Sequence, residues 1–340
     1  MDSNFGVIML KKESPHVIRG LLHPGVIYIL MSAQQLLENS MTLSNNTPAV
    51  VVTGASSGIG HATAVRLARN GHRVYAGFRH PEDGASLAEE SSNLTPVHLD
   101  VTDPESIEAL REQVEAAPST TPLRGLVNNA GTTTAAPVEY VSPDELRRVL
   151  DVNVVGQVAV TRALLPVLRR SHGRVINISS MGGRIASPVM GPYAASKFAL
   201  EAITDALRRE VADQDVEVVA IEPGAVATPI WNKIDSKVNL DSIPEEARRV
   251  YGDLITGVEE GIFKASATHG VPPERIADVI EQALTRPHPR ARYLVGRSAR
   301  MRVMLSRVLP PKLFDLILSG VMRRIGARTR TAAPTPRHPS

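Results

Sequence analysis

The chain reads as an α/β protein built on a doubly wound parallel sheet, and three observations carry that reading. Short runs rich in Val and Ile recur between residues 49 and 295, helical patterns fill the intervals, and the runs are apolar throughout rather than alternating. A strand that is apolar at every position is covered on both faces, as in a parallel sheet between two helical layers. The expected strands are 49–53, 73–78, 97–100, 125–128, 174–179, 217–222 and 292–295. A first helix is expected over 58–70, closed by Gly71, and another over 106–116. A further helix opens at Ser142 as N-cap, with Pro143 at its first position and Glu145 completing a capping box. No internal repeat is visible.

Composition narrows the function classes. A chain of 340 residues can bury one large core, and α/β domains of this size often stay single. Without cysteine there is no disulfide, thiolate metal site or cysteine nucleophile, and no metal site is expected. The net charge of +3 is modest, so nucleic acid is not an expected partner. The basic residues are uneven, however. From Arg286 to Ser340 there are thirteen Lys or Arg against one acid, Asp315.

Three regions follow. Residues 1–47 are expected to be a disordered extension. Their apolar stretch, 17–31, is broken by Arg19, His23 and Pro24 and is shorter than the ~20 residues of a membrane span. Neither does it have the form of a signal peptide, so a cytoplasmic location is expected. A chain beginning at Met41 would lose no recognisable element. Residues 48–296 form the catalytic domain, with a lid at about 229–270. Residues 297–340 are a basic, amphipathic tail whose last ~10 residues should be disordered. In that tail Met301, Leu305, Val308, Leu316, Ile317 and their apolar neighbours are interleaved with Arg300, Arg302, Arg307, Lys312, Arg323 and Arg324. Pro310-Pro311 splits it into two short helices. Such helices either fold against the domain or a second subunit, or rest weakly on an anionic bilayer.

The first chemical motif is Thr53-Gly-Ala-Ser-Ser-Gly-Ile-Gly60, between the first strand and the first helix. Gly54 permits a tight turn, Gly58 lets the backbone approach a pyrophosphate, and Gly60 lets helix and strand pack closely. Ser56 and Ser57 add hydroxyl donors, and the helix start at Gly58, Ile59 and Gly60 offers free N–H groups and a positive dipole end. This makes the sheet Rossmann-like, with its crevice at the carboxyl ends of the strands. The second strand, Val74-Tyr-Ala-Gly-Phe-Arg79, ends without the acid that would accept ribose hydroxyls. Arg79 stands there instead and suits a 2′-phosphate, so NADP(H) is expected as cofactor, with NAD possible. Asp100, followed by Val101, either accepts from the adenine amino group or caps the next helix. Asn128-Asn129-Ala130-Gly131 ends the fourth strand with small residues that allow close backbone approach.

The second motif is Tyr193-Ala-Ala-Ser-Lys197. On a helix, i and i+4 share a face, so phenol and ammonium lie close together. A free tyrosine has a pKa near ~10, and a neighbouring cation lowers it, so Tyr193 becomes a candidate acid and base. Ser180, at the end of the strand Ile176-Asn-Ile-Ser-Ser180, is placed to hydrogen-bond the same substrate oxygen. Asn153 sits on a helix with no obvious need for it. It either holds a water that links Lys197 to solvent or is an ordinary polar residue. After the sixth strand, Glu222-Pro223-Gly224-Ala-Val226-Ala-Thr228 turns the chain, with backbone groups and the Thr228 hydroxyl near the carboxamide end of a nicotinamide.

Together these segments resemble the short-chain dehydrogenase/reductase family over about seven tenths of the chain, from Val50 to Val295. The resemblance implies a tetrad of Asn153, Ser180, Tyr193 and Lys197. It also implies that Lys197 holds the nicotinamide ribose, that Asn129 lines the cofactor pocket, and that Pro223, Gly224 and Thr228 orient the carboxamide. Leu99-Asp-Val-Thr-Asp103, Pro122 to Gly131, Ser171 to Ser180 and Ile221-Glu-Pro-Gly224 look like the retinol and hydroxysteroid dehydrogenase branch. A homo-oligomer is expected, a dimer or tetramer.

Apolar residues of the lid (Ile230, Trp231, Ile234, Val238, Leu240, Ile243, Tyr251, Phe263), beside Met181, Ile185, Val189 and Met190, point to a lipophilic carbonyl or alcohol: a steroid, retinoid or long-chain oxo compound. The same side chains could merely pack the lid. One alternative is a 3-oxoacyl-thioester reductase, for which Arg184, Lys233 and Lys237 are the candidate basic patch. A non-catalytic NADP-sensing regulator would be expected to lack Tyr193 or Lys197, and both are present.

Overall fold

The computed structural model describes residues 47–227, 244–258, 260–261 and 270–332. All seven expected strands are present and parallel, in the order β3-β2-β1-β4-β5-β6-β7. They are β1 (Ala49–Val52), β2 (Arg73–Phe78), β3 (Leu94–His98), β4 (Leu123–Asn128), β5 (Arg174–Ile178), β6 (Glu217–Pro223) and β7 (Arg292–Val295). The described helices are α1 (Gly58–Arg69), α2 (Pro81–Glu90), α3 (Pro104–Glu115), α4 (Pro143–Leu150), α5 (Gly156–Arg170), α6 (Gly191–Glu210), α7 (Glu245–Val258), α8 (Pro273–Thr285), α9 (Arg297–Val308) and α10 (Pro311–Ala332). The winding reverses between β1 and β4, the pair whose carboxyl ends open the crevice.

The apolar strands are covered on both faces. Val50, Val52, Val127, Ile176 and Ile221 pack with Leu67 of α1 and Ile276 and Ile280 of α8. Val51, Leu126, Val175 and Val218 pack on the other face with Leu110 of α3 and Leu164 and Leu168 of α5. Each such Leu or Ile is almost fully buried and contributes about 1.5–3 kcal/mol by leaving water. The run Pro143–Arg170 is long and apolar enough to cross a bilayer by length and composition alone. Here its Val160, Leu164 and Leu168 belong to the core.

Several local expectations need correction. β3 begins and ends earlier than 97–100. Asp100 lies beyond it, where its carboxylate accepts from the Thr102 N–H at 2.9 Å and hydroxyl at 2.7 Å. Asp100 does not cap α3. Asp103 does, accepting from the N–H groups of Glu105 and Ser106 at 3.1 and 3.3 Å, and so starts the helix at Pro104. At α4, Ser142 accepts from the Glu145 N–H at 3.1 Å, but the Glu145 carboxylate pairs with Arg148 at 2.6 Å. The capping box is closed on one side only, because a charged partner draws the carboxylate away.

The tail breaks at Pro310-Pro311 as expected, yet its second helix, α10, runs for 22 residues rather than being short. It lies along α7 so closely that a Cβ on Gly257 would stand 2.1 Å from the Met322 carbonyl oxygen. Met322 is buried there among Ala247, Ile255 and Val258. The contact with α7 is what lengthens the helix, since an isolated short helix is marginal in water. α9 packs at the end of β7, where Ala299 and Val303 are buried. The tail helices thus fold against the domain, the first of the two readings open to them.

Candidate active site

The site is assembled at the carboxyl ends of β1, β4, β5 and β6. Thr53, directly after β1, joins two of these segments. Its hydroxyl oxygen accepts from the N–H groups of Asn129 and Ala130 at 2.9 and 2.8 Å. The Asn129 amide answers by donating to the carbonyls of Thr53 and Gly54 at 2.9 and 3.0 Å. The glycine loop is thereby clasped to the end of β4. Gly54 and Gly58 both have left-handed backbones, with φ of +63° and +59°, which glycine alone adopts at little cost. Gly60 is closer still: a Cβ there would lie 2.2 Å from the Gly54 carbonyl oxygen and 2.4 Å from the Asn129 amide.

These residues fit a dinucleotide. Ser57 stands at the N-cap of α1, yet its hydroxyl makes no capping hydrogen bond, leaving it and the first-turn N–H groups for a phosphate. Ile59 packs on the core and holds the helix start in place. Arg79 is exposed at the end of β2, with its guanidinium beside the His80 ring at 3.0 Å. Burial pushes the Asp100 carboxyl up, but the hydrogen bonds from Thr102 and the charges of Arg79 and His98 outweigh it and hold the carboxyl below its usual range. The Arg79 guanidinium thus lies close enough to Asp100 to favour its charged form. Val101 is buried, with its carbonyl against Gly156.

Tyr193 and Lys197 lie on α6, and Ser180 caps the turn Met181–Gly183 after β5. The structure brings these three together. The Ser180 side chain faces the Tyr193 phenol closely enough to favour its ionised form, and its oxygen accepts from the Gly182 N–H at 3.0 Å. The Lys197 ammonium lies 5.8 Å from the Tyr193 ring centroid and donates to the Ile178 carbonyl at 2.9 Å. One expectation is not met. Burial pushes the Tyr193 phenol up, and it is the Ser180 hydrogen bond, not the lysine charge, that opposes the rise. Burial also pulls Lys197 down to about 8, with the Glu201 carboxylate opposing. Desolvation disfavours both charged forms and dominates at this depth.

Asn153 is fully buried at the centre of a single π-helical turn, Asp151–Val155, between α4 and α5. Its carbonyl oxygen accepts from the Thr132 N–H at 2.7 Å. Its amide donates to the Thr132 carbonyl at 2.8 Å and to the Ser196 hydroxyl at 2.9 Å. Ser196 in turn donates to the Tyr193 carbonyl at 2.7 Å. Asn153 is thus a bridge between the segment after β4 and the helix that carries Tyr193, rather than an ordinary polar helix residue. A Cβ on Gly131 would sit 3.4 Å from its oxygen and 4.0 Å from Lys197 Nζ, so these groups border one space.

At the end of β6, Gly224 donates to the Val295 carbonyl at 2.8 Å and packs against Ala299 of α9. This N–H group is therefore already committed to the sheet. Val226 is buried and bridges to Val271. Thr228 and the lid residues Ile230, Trp231, Ile234, Val238, Leu240, Ile243 and Phe263 lie outside the described residues.

Sequence reasoning named Val189, Met190 and Tyr251 but missed the rest of the apolar wall beside Tyr193. Ala135, Val189, Met190, Ile255, Val258 and Met322 form one buried cluster, with Tyr140, Tyr193, Tyr251, Leu254 and Leu318 packed against it. Val189 has φ of +67°, a costly backbone for a β-branched residue. Its carbonyl accepts from the Ala136 N–H at 2.9 Å, which holds the segment before α6 over the site. Nothing local signals this strain.

The pattern of the short chain dehydrogenase family matches residues 48–239. Retinol dehydrogenase 5 of Mus musculus is 34% identical over 304 residues, which cover 87% of this chain and 95% of the relative. The 3-amino-tetrahydro-pyrrolizinone reductase of Xenorhabdus hominickii is 36% identical over 266 residues, covering 76% and 91%. A solved actinorhodin polyketide ketoreductase with NADPH superposes with a TM-score of 0.60 at 28% identity, over 74% of this chain and 95% of that one. Retinol and hydroxysteroid dehydrogenases recur among the relatives, in keeping with the branch suggested by the sequence. The chain belongs to the short-chain dehydrogenase/reductase family and is an NAD(P)(H)-dependent oxidoreductase.

Proposed function

We propose that the enzyme prefers NADP(H) and interconverts a lipophilic carbonyl compound and its alcohol, with Tyr193 as the acid and base. The observation that carries this reading is the position of Tyr193. Its phenol meets Ser180 on one side, and its ring joins the apolar cluster of Ala135, Val189, Met190 and Ile255 on the other. When bound, the nicotinamide supplies or accepts the hydride. Tyr193 donates its phenolic proton to the forming alkoxide in reduction and takes a proton from the alcohol in oxidation. Ser180 hydrogen-bonds the same substrate oxygen and keeps it at the phenol. Lys197 would hold the nicotinamide ribose, and Asn153 fixes α6 through Ser196. Gly54, Ser56, Ser57, Gly58, Ile59, Gly60, Asn129, Ala130 and Gly131 would hold the dinucleotide. Arg79 would take its 2′-phosphate, Asp100 and Val101 its adenine side, and Lys197, Pro223, Gly224, Val226 and Thr228 its nicotinamide end. The retinol dehydrogenase among the relatives favours a retinoid-like or steroid-like substrate.

The thioester alternative is weakened. Arg184 is engaged with the carboxylate of Glu222 at 2.7 Å and is not available to a phosphopantetheine arm; Lys233 and Lys237 lie outside the described residues. A peripheral membrane contact, and a homo-oligomer, belong to the proposal too. Although α9 and α10 fold on the domain, Met301, Met304, Val308, Leu316 and Ile317 remain exposed among arginines. That combination supports weak, salt-sensitive binding to anionic lipid.

Tyr193→Phe should lower turnover by about 100-fold or more while NADPH affinity stays near wild type, because only the proton donor is lost. Turnover within a few-fold of wild type would remove the tyrosine from this role. Arg79→Ala should weaken NADPH by about tenfold or more and NADH little, read by fluorescence titration. Equal weakening of both would show that Arg79 does not read the 2′-phosphate. The full chain should co-sediment with anionic but not neutral vesicles at low salt, and the double variant Met304→Glu/Leu316→Glu should stay in the supernatant. A full chain that stays in the supernatant with anionic vesicles sinks the membrane contact.

A further inference from the structure

One turn beyond Lys197 on the same face of α6 stands Glu201, a carboxylate that is only 6% exposed. Carboxylates are almost never buried to this depth unless paired, and the proposed chemistry gives it no task. Its Oε2 accepts from Arg292 Nε at 3.0 Å and lies 3.6 Å from Arg184 Nη2. Its Oε1 is buried without a hydrogen-bond partner.

The two arginines reach further. Arg184 donates to Glu222 Oε1 at 2.7 and 3.1 Å. Arg292 also stands 3.2 Å from that oxygen and donates to Asp205 at 2.5 Å. Arg208 pairs with Asp205 at 2.8 Å, and Arg209 is 3.7 Å away. Arg307 of α9 borders the cavity of about 340 Å³ that lies beside Arg184, Glu201, Asp205 and Arg292. The four groups at its centre come from four different parts of the site. Arg184 follows the turn capped by Ser180, Glu201 lies in the helix of Tyr193 and Lys197, Glu222 precedes Pro223-Gly224, and Arg292 comes from β7.

Packing makes the junction tight. A Cβ on Gly183 would stand 2.9 Å from the Lys197 carbonyl, 3.0 Å from Glu201 Cγ and 3.0 Å from Ser179 Oγ. The turn after Ser180 is therefore pressed on the helix between Lys197 and Glu201. We propose that Glu201 is a positioning residue: it places a negative charge one turn from Lys197 and, through Arg184, ties the Ser180 turn to the helix that carries Tyr193. This rests on the proposed roles of Tyr193 and Lys197.

The signs follow from charge. Burial pulls Lys197 down to about 8 and the Glu201 carboxylate opposes that fall, so removing the carboxylate must lower the value further. Removing Arg184 strips a cation that neutralises Glu201, so it must raise the value. The full chain contains seven lysines, few enough for its 13Cε-lysine NMR signals to be followed through a pH titration, with Lys197 identified by the signal lost in Lys197→Arg. Glu201→Gln should move the Lys197 midpoint down by about half a pH unit or more, and Arg184→Gln should move it up. A purely structural role would lower the melting temperature of both variants and leave the midpoint in place, which overturns the proposal. If Glu201→Gln does not fold, Arg184→Gln decides: an upward shift supports the proposal and an unmoved midpoint overturns it. The readout is the lysine's own titration, so a Tyr193→Phe enzyme that kept its turnover would overturn the proposed chemistry and leave this result standing.

Discussion

The seam between β1 and β4 is the constraint on which the rest of the site depends. Strand order reverses there, so the chain segments leaving the two strands part company and open a crevice. A crevice between diverging loops needs something to fix its walls, and Thr53 and Asn129 do so with four hydrogen bonds between the two strand ends. Each is worth only about 0.5–1.5 kcal/mol net, but they are local and mutually supporting. They set the glycine loop against Asn129, and from there Gly131, Thr132 and Asn153 carry the arrangement to α6. The position of Tyr193 relative to the glycine loop is thus a property of this chain of contacts rather than of any one residue.

Burial decides the electrostatics at the far end of that chain. The phenol of Tyr193 is pushed up and the ammonium of Lys197 pulled down, so both proton carriers are driven towards their neutral forms. A phenol raised in this way costs more to ionise, so its proton transfer depends on compensating groups that the site supplies. Ser180 is one such group on the phenol side. On the lysine side the compensating charge comes from a carboxylate on the next turn of the helix, held by Arg184 and Arg292, which belong to two other segments of the site.

What was legible in the sequence is what depends on neighbours along the chain. The glycine loop is fixed by a strand, three glycines and a helix start within one octapeptide, and the apolar strands announced the two-layered cover. Residues 94–96 were missed from β3 because Pro96 argues against a strand, yet β3 is the outermost strand of the sheet, where a missing N–H does no harm. The π-turn around Asn153 and the left-handed Val189 were not legible, since both are held by contacts with remote segments. The same is true of the tail. Its apolar spacing could be read from 301 to 322, but the partner, Gly257 of α7, could not. The expected lowering of the Tyr193 pKa failed for a related reason: spacing gives the distance between two charges but not the depth at which they sit.

Binding of NADPH to Gly60→Ala is the most direct test of the cradle at this seam. The added methyl has no room between the Gly54 carbonyl and the Asn129 amide, so either the loop or the strand clasp must shift. Titration calorimetry with wild type and the variant, with circular dichroism to establish that both are folded, reads the consequence. A folded variant whose NADPH affinity falls by about tenfold or more is the predicted result. A folded variant that binds NADPH as wild type does would contradict a dinucleotide seated on the glycine loop at the end of β1.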